Sequence, residues 1–415
     1  MDFFLKNSII SIFLRSITLL SRFLLVLFIG KYLSVDELGI FGIFFSAIIF
    51  STFLIGYDFY TYRTREILSD RCDNKAIMIR DQFIFYIIMY VVLFPFFSLL
   101  FFNNILPFDY ILFFYFLLII EHISQELFRL LIVLSKPIKA NIILFVRSGL
   151  WVFILFILFY FGFIVPNLKL IFLFWAIGGL VSIFLGIIVL YTSNFGSINK
   201  NVNWQWIKRG FIVATPFFIS TIAYKIIEYS NRLFINIYLS NSELGIFTFC
   251  INLSNTVQTL IMTGIIMLIY PKMVETYASD SVSFNKHYLN LKKYTIIFSI
   301  FFSIIVIIIY PFVVMIVDRQ ELNNNFYLFI ILLLSSNIFN FSLIFHYNLY
   351  VMNKDKEIMY ITISAAITNL LLNYILIKPF GLIGIAMSLF LSYIQILILK
   401  MLYNRKINNI IITNS

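Results

Sequence analysis

The sequence predicts an all-α integral membrane protein of about twelve transmembrane helices, arranged as two pseudo-symmetric six-helix lobes around a central cavity. Three observations predict it. Of the 415 residues, 62% are hydrophobic and 12% charged, whereas a soluble domain carries about 45–50% apolar and about 25% charged residues. A chain this apolar cannot cover a water-facing surface with polar groups. Its apolar residues also fall in runs long enough to span, since a helix needs about 20 residues to cross about 30 Å of hydrocarbon. Finally, a decapeptide recurs about half a chain length away.

The runs, in order, are 8–33, 38–60, 82–102, 108–134, 141–163 and 168–191, then 210–239, 243–270, 294–317, 325–352, 358–377 and 380–403. No small-residue cleavage site follows the first run, so it reads as a retained helix. The second ends in GYDFYTYRTRE, where Asp58 is placed to pair with Arg63 or Arg65. The sixth run ends at a long polar segment. This segment divides the chain into a first lobe (1–195), a cytoplasmic linker (196–209) and a second lobe (210–415). Pro216, early in the seventh run, removes a helical hydrogen bond and permits a bend, static or mobile. Gly381 and Gly384 supply the turn between the last two runs.

Charge sets the expected orientation. The formal net charge is +11, but the basic residues sit in the breaks between runs. With the N-terminus inside, twenty Lys and Arg residues fall in cytoplasmic segments, Lys400 among them. The opposite side holds Lys31, Lys169, Arg319 and Lys378. The excess of cytoplasmic cations places both termini in the cytoplasm. Basic loops of this kind need no nucleic-acid partner, because anionic lipid headgroups account for them. Cys72 and Cys250 make neither a disulfide framework nor a metal-ligand spacing.

The repeat is YLSVDELGIF at 32–41 and YLSNSELGIF at 238–247, an offset of 206 residues. Both copies hold Ser-x-x-Glu, Ser34 with Glu37 and Ser240 with Glu243, the pattern of a helix-starting capping box. Asp36 and Glu37 also allow a catalytic reading as acids of an outer loop. The second copy replaces Asp36 with Ser242 and keeps the capping pattern, which favours the structural reading. Six helices per half in matching orientations make the repeat parallel. Such repeats build transporters, with a site between the lobes near the midplane.

Polar residues inside the runs are the candidate site. In the first run Ser8, Ser11, Arg15, Thr18 and Arg22 recur at three and four residues and share one helical face. In the seventh, Thr221, Lys225, Glu228 and Arg232 do the same, at an offset of 210 from Ser11, Arg15, Thr18 and Arg22. The difference from 206 is four residues, close to one turn, so the face is kept. Arg15, Arg22, Lys225 and Arg232 are the candidate substrate-binding cations. The bland alternatives are snorkelling of Arg15 to headgroups and an Arg232–Glu228 pair. The fourth run carries Glu121, His122, Gln125, Glu126 and Arg129. Glu121, His122 and Glu126, with Glu228, are candidates for proton or Na⁺ coupling; an interhelical ion-pair cluster is the other reading, and the sequence leaves both open. Arg147, one turn into the fifth run, reads as a snorkelling residue. The tenth run offers Asn337 and Asn340 for sugar contacts, although these amides, like His346, can also bind helix to helix.

No nucleotide-binding motif, metal site or catalytic set is found, and no cofactor beyond a coupling proton or Na⁺ is expected. YLSVDELGIF after a first helix, NRLFINIYLSNSELGIF, and VMNKDKEIMYITISAAITNLLLNYILIKPFGLIGIAMSLFLSYI resemble the polysaccharide repeat-unit (O-antigen-type) flippases. These form part of the multidrug/oligosaccharidyl-lipid/polysaccharide exporter superfamily. The resemblance implies alternating access in the cytoplasmic membrane. It also implies a lipid-linked oligosaccharide as cargo, moved from the cytoplasmic to the outer leaflet. Partners would be membrane lipids and polysaccharide assembly proteins, and a monomer would suffice. A polyprenyl diphosphate headgroup is anionic, and arginine suits phosphate. Cation-coupled multidrug antiporters of the same fold are the first alternative, although six basic residues inside the helices against four acids favour an anionic cargo. A flippase for the peptidoglycan lipid precursor usually has additional helices. A membrane glycosyltransferase or polymerase would need larger outer loops than these.

Overall fold

The computed structural model describes residues 2–68, 75–134, 136–191, 201–277 and 279–414. Side chains are described there except at 2–9, 12, 68 and 407–414. The side chains of Lys6 and Ser8, the residues Arg71, Cys72 and Lys200, and positions 196–200 of the linker lie outside that description. Among the described residues all regular structure is helical.

The helices are α1 (Asp2–Tyr32), α2 (Val35–Gly56), α3 (Lys75–Phe102), α4 (Ile111–Val133), α5 (Pro137–Tyr160) and α6 (Leu168–Tyr191). They continue with α7 (Trp204–Tyr238), α8 (Asn241–Tyr277), α9 (Ser281–Val317) and α10 (Phe326–Val351). A short helix, Phe59–Leu68, follows α2. The last helical stretch, Asp355–Asn414, breaks at Gly381, whose φ of 54° and ψ of −131° lie in a region reserved for glycine. The break separates α11 (355–380) from α12 (382–414). Among the described residues eleven helical stretches are long and apolar enough to cross a bilayer, and the break makes them twelve. The chain is a multi-pass membrane protein of the expected all-α class.

Several helices outrun their apolar segments. The α7 helix starts at Trp204, within the polar segment, with Asn203 Oδ1 accepting from the Trp206 amide at 2.9 Å. The α8 helix continues to Tyr277, and α9 starts at Ser281 behind the Asp280 cap, which accepts from Val282 and Ser283. Hydropathy reports the thickness of lipid, whereas a helix ends where capping replaces its backbone bonds.

Both capping boxes form. Ser34 Oγ accepts from the Glu37 amide at 3.1 Å while Glu37 Oε2 accepts from the Ser34 amide at 3.0 Å. Ser240 and Glu243 repeat the exchange at 3.2 and 3.0 Å.

Contacts divide the chain into two compact units. The first comprises Met1–Val26 and Ile43–Thr221, the second Leu27–Gly42 and Ile222–Ser415. The boundary therefore falls within α7, after Thr221. In the first unit, α4 and α6 approach closely through small residues. A Cβ added to Gly179 would lie 2.1 Å from Ile120 Cγ2, and Ser182 Oγ donates to Ser124 Oγ at 3.1 Å. Small residues and hydroxyls supply helix association where lipid removes the hydrophobic drive.

In the second unit, α10 and α12 are joined by an amide pair, Asn348 Nδ2 to Asn404 Oδ1 at 2.5 Å. Lys400 belongs to this core. It is 4% exposed, with Nζ 3.3 Å from His346 Nδ1. It lies within α12, near the end of the last apolar run, and its side chain is buried.

Candidate functional site

The polar stripe of α1 lies in the first unit as far as Val26. Ser11 and Thr18 are buried, with Thr18 Oγ1 donating back to the Leu14 carbonyl. The two arginines project outward from that base. Arg15 is partly exposed and Arg22 exposed, and each meets a neutral oxygen on α5. Arg15 Nε donates to Asn141 Oδ1 at 2.8 Å; Arg22 Nη2 donates to Ser148 Oγ at 3.0 Å. Asn141 is itself fixed by donating to the Pro137 carbonyl at 2.9 Å. Ser148 lies in a π-turn, Val146–Leu150, inside α5. Such bulges are frequent at functional sites, and no sequence signal announced this one.

In the second unit the α7 stripe is organised differently. Lys225 Nζ and Glu228 Oε2 are 2.6 Å apart, and the ammonium lies 5.4 and 5.2 Å from the ring centroids of Tyr224 and Tyr229. Glu228 therefore pairs with Lys225 at i−3 and also acts electrostatically on Arg232. Arg232 is 6% exposed and its Nε has no hydrogen-bond partner. Since Lys225 and Glu228 offset one another, Arg232 carries the net charge of this stripe.

The α4 residues form the most connected network in the first unit. Glu121 Oε2 is 2.9 Å from Arg147 Nη2, and Glu121 Oε1 accepts from Trp175 Nε1 at 2.6 Å. Arg147 is thus buried between helices, and its reading as a snorkelling residue is overturned by this pair. Glu126 Oε1 is 2.6 Å from Arg129 Nη1, and Oε2 accepts from Gln82 Nε2 at 2.9 Å. Arg63 reaches the same carboxylate at 3.6 Å and donates to Gln82 Oε1 at 2.6 Å. The Arg129 guanidinium sits 3.8 Å over the ring of Tyr60.

His122, 1% exposed, shares a 2.7 Å hydrogen bond with Tyr90 through Nδ1, while its Nε2 has no partner. Sequence reasoning missed Gln82, Tyr90 and Trp175. These are ordinary residues of an apolar helix, and only packing brings them to α4.

On α10, Asn337 Nδ2 donates to Ser303 Oγ at 2.8 Å and to the Leu333 carbonyl at 2.9 Å. Asn340 is fully buried, with neither side-chain atom hydrogen-bonded. The α1 stripe and the α4 network thus lie in the first unit and Lys225, Glu228, Arg232 and these amides in the second, while Thr221 of the α7 stripe is the last residue of the first.

No protein-family model and no curated protein sequence matches the chain. Solved structures do. An inward-facing multidrug resistance MATE family transporter of the MOP superfamily aligns at a TM-score of 0.76 and 14% identity, covering 98% of this chain and 99% of that one. The lipid II flippase MurJ in an inward closed conformation aligns at 0.74 and 14%, covering 97% and 87%. An outward-facing MATE transporter aligns at 0.63 and 15%, covering 97% and 94%. At these identities the likeness is one of fold, and over essentially its whole length this chain has the fold of those membrane transporters.

Proposed function

We propose that the chain is a flippase that moves polyprenyl-diphosphate-linked oligosaccharide units from the cytoplasmic to the outer leaflet by alternating access. The observation that carries this reading is the pair of accessible guanidiniums on α1. Asn141 accepts from Arg15 and Ser148 from Arg22, so each guanidinium is held in a fixed direction by a residue of α5. A diphosphate is matched by such donors, because charge-assisted hydrogen bonds are roughly twice as strong as neutral ones. Arg15 and Arg22 are the principal headgroup ligands in this reading, and Arg232 adds the α7 contribution. Asn337 contacts sugar. Asn340 does so only in a conformation that uncovers it.

Transport by a multidrug antiporter is the second reading, favoured by the MATE neighbours. It requires acids for a cationic drug, yet Glu121 and Glu126 are both engaged by arginines. Transfer of a polyprenyl-diphosphate-linked oligosaccharide between leaflets of proteoliposomes, by wild type and Arg22→Ala, tests the proposal. Ion-driven efflux of organic cations without such transfer would establish the second reading instead.

Among the coupling candidates, His122 has an open valence at Nε2, whereas each α4 carboxylate already holds an arginine. We therefore assign proton coupling to His122. His122→Gln is expected to transfer cargo at a rate independent of pH, while wild type varies; an unchanged pH profile in the variant removes His122 from this role. In this reading both termini lie in the cytoplasm. A cysteine at Lys286 should react with impermeant maleimide only from the cytoplasmic side and one at Asp109 only from the outer side, with reversed labelling inverting the topology.

A further inference from the structure

The ion pair of α7 stands between aromatic rings. Lys225 Nζ is 2.6 Å from Glu228 Oε2, with the rings of Tyr224 and Tyr229 beside the ammonium. These four residues fall at i, i+1, i+4 and i+5 and share one side of the helix. Three other helices of the second unit hold them. Gln258 Nε2 on α8 donates to the Tyr224 hydroxyl at 3.3 Å. Phe339 on α10 stacks on the Tyr224 ring, with centroids 5.4 Å and planes 28° apart. Tyr393 on α12 packs against Phe339 at 4.9 Å, and both Tyr224 and Tyr393 lie within electrostatic reach of Glu228.

Depth and exposure set this pair apart. Lys225 lies thirteen residues before the α7 end at Tyr238, or roughly 20 Å at about 1.5 Å per residue, which is inside the hydrocarbon. Yet the Lys225 and Glu228 side chains are 15% and 27% exposed, whereas the paired side chains of Glu126 and Glu121 are 1% and 4% exposed. Charges left open at such depth face water or protein rather than acyl chains. The pair therefore borders a wet surface of the second unit, where a polar ligand reaches it.

We propose that Tyr224, Lys225, Glu228, Tyr229 and Gln258 form a sugar-reading subsite that takes a neutral pyranose through two adjacent hydroxyls. The inference rests on the flippase reading and names the part of the cargo that α7 recognises. The ammonium meets Glu228 Oε2, which leaves Oε1 to accept from one hydroxyl. An ammonium has three N–H donors, and a second of them donates to the neighbouring hydroxyl oxygen. One hydroxyl gives and its neighbour receives, while the pair as a whole stays neutral. That arrangement matches a diol and not a phosphate. The Tyr224 hydroxyl accepts from Gln258 and keeps its own proton to donate. Tyrosine rings add amphipathic walls, apolar for the C–H side of a pyranose and polar at the tip. Lys225 is thereby given a sugar rather than a diphosphate, and Glu228 a hydroxyl rather than a coupling ion.

The test compares two polyprenyl-diphosphate monosaccharides in proteoliposomes, one bearing a hexopyranose with adjacent free hydroxyls and one lacking that pair. Wild type is expected to transfer the first about tenfold faster, the scale of a hydrogen bond to a charged group. Glu228→Gln and Lys225→Met should each bring the ratio of rates to within about twofold of unity, and the double variant should stay there. A pair that only braces α7 gives a different pattern, in which every variant keeps the wild-type ratio and the double variant recovers stability lost by the single ones. Wild type that ignores the diol, or variants that keep the wild-type ratio, overturn the proposal.

A second arm needs no transport. Saturation-transfer NMR of detergent-solubilised protein with a free methyl hexopyranoside is expected to enhance the ring protons beside the diol in wild type and not in Glu228→Gln. Equal enhancement in both overturns the subsite. Enhancement confined to wild type, without leaflet transfer of either lipid, would sink the cargo assignment alone and leave the subsite standing.

Discussion

Arg22→Ala is expected to lower leaflet transfer of a polyprenyl-diphosphate-linked oligosaccharide by about tenfold to a hundredfold while leaving membrane abundance unchanged, on the scale of a lost hydrogen bond to a charged group, about 1.5–3 kcal/mol. The argument starts from depth. Arg22 lies ten residues before the α1 terminus at Tyr32, or roughly 15 Å at about 1.5 Å per residue. That is about half the hydrocarbon thickness. An arginine there costs an estimated 2.5–3.5 kcal/mol on insertion scales, so an exposed one normally faces water or protein.

A graded series separates charge from placement. Arg22→Lys keeps a cation but loses the planar fork, and should fall between wild type and Arg22→Ala. Ser148→Ala removes only the oriented acceptor at 3.0 Å, and should have the mildest effect. Full transfer by Arg22→Ala would take Arg22 out of the headgroup site. Equal losses in all three variants would point to damaged packing at the π-turn instead of lost charge.

The spans, both capping boxes and the Gly381 turn were legible in the sequence because each is local. Apolar length, Ser-x-x-Glu spacing and a glycine between apolar runs carry their physics within a few residues. Partners across helices were not legible. Periodicity places Glu121 on a face of α4 but does not say that Arg147, on the next helix, meets it at 2.9 Å. Arg147 also lies within the π-turn, where one extra residue per turn rotates every later side chain, so its depth misled about its direction. Lys400 was counted among the cytoplasmic cations near the end of the last run, and nothing in that run shows that its Nζ lies 3.3 Å from His346 Nδ1 on α10.

Glu126→Gln is expected to destabilise the fold by about 3–5 kcal/mol, the usual cost of removing one partner from a buried ion pair. Glu126 is 2% exposed and Arg63 1% exposed, so neither is rescued by bulk water. The carboxylate holds Arg129 at 2.6 Å, accepts from Gln82 at 2.9 Å and stands 3.6 Å from Arg63. Arg63 already has Nε and Nη2 without hydrogen-bond partners. Loss of the Glu126 charge would leave two guanidiniums in a site that no longer balances them.

The expected result is a markedly lower midpoint of thermal unfolding in detergent, partly recovered when Arg129→Met is added, because the second change removes one uncompensated cation. This outcome separates the two readings of α4. A dedicated ion-coupling carboxylate should tolerate Glu126→Gln, fold normally and lose only its pH or Na⁺ response, whereas a structural hub should lose stability first. Normal stability together with a flat ion response would therefore transfer the coupling role from His122 to Glu126. A large loss of stability, recovered by the second substitution, would fix Glu126 as the group that keeps Arg63 and Arg129 in place beside His122.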